Sequence, residues 1–169
     1  MDTRSALLIV ILALTRDAAA ACVADGPVAT ARWIFANEKG FSHYQFPQET
    51  KLMKRFLSPG LFGLLEVEWP CQVVSEGSCA VDTDSWTNTE DGRALDPATF
   101  ELASSQGIRS TVRAQFRFAA GATAKPDTGR ATLTLVRDAR SGCWLLDDLV
   151  GMKGQSLVRQ LRSYAAFYP

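Results

Sequence analysis

The chain has 169 residues with 18 basic and 18 acidic side chains, enough length for one domain with a real core and no net field to gather nucleic acid or anionic lipid. Nucleic acid is therefore not an expected partner. A single histidine, His43, and the lack of any CxxC pair also argue against a zinc site, so no metal and no cofactor is expected.

Residues 1–21 read as an address. Arg4 gives a positive start, Ala6 to Leu14 ("ALLIVILAL") an apolar stretch too short to span a bilayer, and Ala18 to Ala21 a run of small residues for cleavage. The expected product is a single exported domain over residues 22–169, periplasmic or extracellular. Removing residues 1–21 takes away two acids and two bases, so the balance persists. The alternative is a lipoprotein anchored through Cys22 of "AAAAC". Against it, "TRD" places two charges ahead of the cysteine, and the bulky apolar residue expected three positions before it is missing. No later stretch is apolar enough for a transmembrane span.

All four cysteines lie in the mature segment, and an even number after export reads as a disulfide framework with three possible connectivities. Cys71 and Cys79 flank a short loop that a bridge can close, which favours Cys71–Cys79 and leaves Cys22–Cys143. Lipidated Cys22 would instead leave Cys143 free.

Asp25-Gly26-Pro27 opens a first helix, with Val28, Ala31, Trp33, Ile34 and Phe35 apolar and Gly40 as its stop. "FPQETKLMKRFL" has Leu52, Met53, Phe56 and Leu57 at helical spacing. Ser58-Pro59 is a cap and first-turn proline for a third helix ending at Pro70. A polar loop, Glu76 to Pro97, follows. In "STVRAQFRFA" the apolar residues Val112, Ala114, Phe116 and Phe118 alternate with Thr111, Arg113, Gln115 and Arg117, a half-buried strand. "AAGATAKPDTG" turns the chain. "RATLTLVRD" and "CWLLDDLV" are two more strands, joined as a hairpin by "ARSG". A last helix places Leu157, Leu161, Tyr164 and Tyr168 on one face. Helices first and strands later predict an α+β fold with an antiparallel sheet on helices.

The segments "ARWIFANE", "FLSPGLFGLL", "DTDSWTNTEDG" and "GCWLLDDLVGMKGQSLVRQL" together resemble the exported bacterial proteins of the domain of unknown function 3828 family. That family is similar to the nuclear transport factor two-like superfamily. The resemblance implies N-terminal helices packed in a curved, cone-like antiparallel sheet with a C-terminal helix. It also implies a periplasmic or lipoprotein component. Relatives of that fold include isomerases, dehydratases and hydrolases as well as binding modules, so the fold does not choose a function.

Four groups of residues are candidates for chemistry. Asp147 and Asp148 are the carboxylates an acid–base reaction would use, but alternation along a strand sends them to opposite faces, so they do not form a dyad. One of them would enter the cone, and His43 would assist it in an enzyme. Arg109, Arg113 and Arg117 share parity and line one strand face, where guanidinium forks hold carboxylates or phosphates. The loop Asp82 to Gly92 departs from a calcium-binding EF-hand loop at Trp86 and Thr87 and reads as a lid with Trp86 packed inward. Trp86 and Trp144 are candidates for an aromatic-lined pocket, and Trp144 with Leu146 anchors a sheet face. The expected function is a non-catalytic binding or envelope-associated accessory module for a small ligand or an envelope protein. The alternatives are a periplasmic immunity or inhibitor protein and an isomerase or dehydratase with an aspartate base.

Overall fold

The computed structural model describes residues 22–37, 41, 46–74, 79–90, 92–120 and 127–167. His43, Gly40, Tyr168, the loop positions 75–78 and the turn at 121–126 fall outside the described residues, as does the whole of the 1–21 segment. No helix among the described residues is long and apolar enough to cross a membrane.

Three helices come first: α1 (Pro27–Asn37), α2 (Phe46–Met53) and α3 (Pro59–Val74). Pro27 starts α1 as expected. Ser58 caps α3, its hydroxyl accepting the Leu61 amide at 3.1 Å, which satisfies one of the orphan donors of the first turn. Pro70 does not end α3, contrary to the sequence expectation. The helix runs one turn further because the Pro70 side faces solvent, where an unpaired carbonyl is tolerated. The Gln72 amide and the Cys71–Cys79 bridge hold the last turn.

Four strands form one open antiparallel sheet in sequence order: β1 (Gly92–Gln106), β2 (Arg109–Ala120), β3 (Asp127–Arg137) and β4 (Trp144–Val150). The expected hairpin of the last two strands is β3–β4. β1 is a correction: residues 92–97, expected in a loop, begin a long edge strand. Its alternation is broken by register shifts between Leu95 and Thr99 and between Leu102 and Ser104, with Pro97 inside the first. Proline is tolerated there because an edge strand at a bulge can spare an amide. β1 joins β2 through the two-residue loop Gly107-Ile108, with Gly107 at φ 57°, the position where type II′ hairpins take glycine.

The even residues of β2 (Val112, Ala114, Phe116) and the odd residues of β3 (Ala131, Leu133, Leu135) are buried against α1 and the rest of the core. Trp86 joins them. It is 1% exposed and meets Phe35 at 4.9 Å and Phe116 at 6.3 Å between ring centroids. The loop carrying it docks on the segment after β4, where Met152 N–H donates to the Trp86 carbonyl and Lys153 N–H to Asn88 Oδ1.

The outer edge of β4 is closed from two sides. The Ser58 amide donates to the Leu146 carbonyl and the Leu146 amide to the Phe56 carbonyl, while Val150 bridges to Ser156. The last helix, α4 (Leu157–Phe167), then packs Leu157 and Leu161 on α3 and β4. Both disulfides favoured from the sequence are formed, Cys71–Cys79 and Cys22–Cys143, and no described cysteine is free.

Candidate functional site

A cleft of about 540 Å³ lies between two parts of the chain that β4 brings together. One wall is the α2–α3 junction, with Lys54, Arg55, Leu57, Pro59, Phe62, Gly63 and Glu66. The other is the β3–β4 turn and the start of β4, with Asp138, Ser141, Cys143 and Leu145. The floor is apolar and the rim carries both signs of charge. Lys54 sits over the Phe62 ring at 4.7 Å, which holds an ammonium at the rim above an aromatic floor.

Two connections fix the walls relative to each other. They are the backbone bonds Ser58 N–H to Leu146 O at 2.8 Å and Leu146 N–H to Phe56 O at 2.6 Å, while the Cys22–Cys143 bridge ties the second wall to the start of the described chain. The turn is itself ordered by Asp138. One of its carboxylate oxygens accepts from the Ser141 amide and hydroxyl, each at 2.7 Å, and from the Arg140 amide at 3.2 Å. The Ser141 bonds hold the Asp138 carboxyl below its usual range. The cleft is thus built before a ligand arrives, which lowers the ordering cost of binding. Sequence reasoning missed it. The available signal was Gly60 and Gly63 inside "SPGLFGLL", since glycine weakens a helix interior unless space is needed there. A Cβ built on Gly63 meets nothing within 4 Å.

The aspartates of β4 are elsewhere and separately employed. Leu135 pairs with Leu146 and Thr134 with Asp148, so Asp147 is the extra residue of a bulge. The bulge breaks the alternation that sent the two to opposite faces. Leu146 and Leu149, three apart, are both fully buried, and both aspartates between them are only half-buried. Asp147 pairs with Arg109 at 3.0 Å across the intervening strand. Asp148 accepts the Ser156 hydroxyl at 2.7 Å and the Val158 amide at 3.0 Å, and so caps α4. The two aspartates thus have separate partners, and a bulge rather than simple alternation sets where each one points.

The arginine stripe is present: Arg109, Arg113 and Arg117 lie on the sheet face opposite the helices, with Arg113 bonded to Glu101 at 3.1 Å. Trp86 is a fully buried core residue, and Trp144 packs half-buried against the core on the Leu146 side. In the Trp86 loop, Asp84 Oδ1 receives the Trp86 amide, the Thr87 amide and the Thr87 hydroxyl, so this carboxylate builds the turn. Burial nevertheless raises its pKa. Among the described residues no three His, Cys, Asp or Glu side chains converge as metal ligands would.

One buried acid escaped the sequence reading. Glu68 of α3 is 1% exposed, and its Oε1 accepts from the Gln72 amide group and from the Val81 amide at 3.1 Å. Its other oxygen has no hydrogen-bond partner among the described residues. Burial raises the Glu68 pKa, with the Gln72 and Val81 bonds opposing the shift.

Comparison with models of protein families, with curated proteins and with solved structures finds no match to this chain. The fold and the site define its class: an α+β domain with a four-stranded antiparallel sheet, two disulfides and a preformed cleft.

Proposed function

We propose that the protein is an exported binding module and that the cleft between the α2–α3 junction and the β3–β4 turn holds a small amphipathic ligand. The observation that carries this reading is the cleft itself, with its apolar floor of Leu57, Pro59, Phe62 and Leu145 under a rim of Lys54, Arg55, Glu66 and Asp138. An apolar body on the floor removes hydrocarbon surface from water, and a dipolar or zwitterionic head finds both charges at the rim. Export to an oxidising compartment is supported by the two disulfides and by the leader-like residues 1–21. The soluble form is favoured over the lipoprotein because the Cys22 sulfur lies in the bridge to Cys143, and a thioether-linked lipid would need that same atom. The curved, cone-like arrangement and the family resemblance belong to the same proposal and rest on the sequence segments quoted for them. The enzyme alternative loses its support, since Asp147 and Asp148 are engaged with Arg109 and with the start of α4.

The test is titration with dodecanoate and dodecylphosphocholine below their micelle concentrations, using wild type and Gly63→Leu. The Leu side chain enters open space and fills the cleft without leaving the helix. Wild type should bind the zwitterion with micromolar affinity, and Gly63→Leu should lose at least tenfold while keeping its thermal midpoint. Equal binding by both proteins, or none by wild type, would reject the cleft.

A further inference from the structure

We infer a second binding site, on the sheet face that carries no helices, for a linear acidic polysaccharide lying along β2. The inference is independent of the cleft. It starts from a residue outside the stripe legible in β2, Arg130 of β3. In the β2–β3 register Arg130 stands opposite Gln115, and Arg113 and Arg117 are its two diagonal neighbours. Diagonal partners lie about 7–8 Å apart, so an anion between two such guanidiniums is reached by both. Arg113 and Arg117 are four residues apart, about 13 Å along the strand. The arrangement is a row of charges staggered over two strands, suited to a chain bearing several anions.

Three guanidiniums share this patch with one carboxylate, Glu101, on a protein whose net charge is zero. Arg117 and Arg130 have no ion pair among the described residues. The Arg113–Glu101 pair is exposed on both sides, 65% and 69%, so it is weak and open to competition. A concavity of about 380 Å³ lies over the patch, bounded by Thr99, Glu101, Arg113, Gln115, Arg130 and Thr132. Between the guanidiniums the face therefore presents hydroxyls and an amide, the groups that pair with sugar hydroxyls. The described residues of this face offer no aromatic ring for a base to stack on, which favours an acidic glycan over single-stranded nucleic acid.

The test is calorimetric titration of the full folded protein with an oligogalacturonate (carboxylates), a heparin hexasaccharide (sulfates) and a single-stranded oligodeoxynucleotide of equal charge. These are repeated on Arg113→Gln/Arg117→Gln/Arg130→Gln and on Arg140→Gln/Arg159→Gln/Arg162→Gln, which changes the net charge equally on the β3–β4 turn and α4. At least one glycan should bind wild type, with the carboxylate and sulfate arms identifying the anion. The sheet-face variant should weaken it at least tenfold, and the control variant and Gly63→Leu by less than twofold. Thermal midpoints of all variants establish that they are folded. The site is overturned if neither glycan binds, if the two triple variants lose affinity equally, or if the oligonucleotide binds as tightly as the better glycan.

Discussion

Asp148 receives the hydroxyl of Ser156 at 2.7 Å, and with that bond and the Val158 amide it ties β4 to the first turn of α4. Ser156 in turn accepts the Arg159 amide at 3.1 Å, so two side chains together satisfy the amides that a helix start leaves unpaired. Asp147, one residue earlier, instead holds an arginine that is 59% exposed.

These neighbours should therefore respond unequally to truncation. Asp148→Ala should cost about 2 kcal/mol, the upper range for losing a helix cap. Asp147→Ala should cost less than about 1 kcal/mol, as an exposed ion pair does. Urea unfolding of the two variants measures both, and a larger loss at Asp147 would contradict the assignment of roles.

Glu68 predicts a pH dependence. Burial raises its pKa in the folded state above the ordinary value of 4.5. Between the two values the folded protein holds a proton that the unfolded chain releases, so this group's contribution is fully present below 4.5 and is lost as pH rises through the folded pKa. Glu68→Gln places a neutral amide there, with an oxygen still able to accept from Val81. The variant should gain stability relative to wild type as pH rises from 4.5, and thermal midpoints from pH 4 to 8 measure the gap. A gap that stays constant with pH would show that the buried acid is not protonated.

The disulfides should differ in worth. On the chain-entropy account a separation of 121 residues, as in Cys22–Cys143, is worth about 5 kcal/mol, and one of 8 residues, as in Cys71–Cys79, about 2.5 kcal/mol. Paired Cys→Ser variants should follow that order in urea. Thiol labelling of the native protein should modify no cysteine before reduction and all four after it.

Two glycines should behave oppositely when changed to alanine. A Cβ at Gly129 would overlap the Phe116 ring, and Phe116 is packed against Phe35 and Trp86. Gly129→Ala should cost about 1–3 kcal/mol by overpacking. Gly63→Ala, in open space on a helix, should gain about 0.5–1 kcal/mol. Unfolding midpoints of the two variants decide the signs.

How far the sequence could be read depended on how regular each element is. The strict alternation from Val112 to Phe118 survives as β2 because its two faces meet a core and solvent. The Ser58 cap and the Cys71–Cys79 bridge were legible because each is a local spacing rule, and Cys22–Cys143 followed as the pair left over. β1 was hidden because its register shifts twice and Pro97 interrupts it, although Gly107-Ile108 between two runs was a hairpin signal. The bulge at Asp147 was invisible, since it arises from how Thr134 and Leu135 pair rather than from the β4 residues alone. The cleft was not legible at all. Its walls are 54–66 and 138–145, far apart in sequence, and the bonds of Leu146 to Phe56 and Ser58 bring them together.

The Cys22–Cys143 bridge also constrains the order of events during synthesis. A chain appears from its N-terminus, so Cys22 encounters Cys71 and Cys79 well before Cys143 exists. Either early partner would be wrong, and either would strand the remaining thiols. Correct oxidation thus rewards chains whose last strand has already joined the sheet. A protein-disulfide isomerase acting after release should raise the yield more than faster oxidation does.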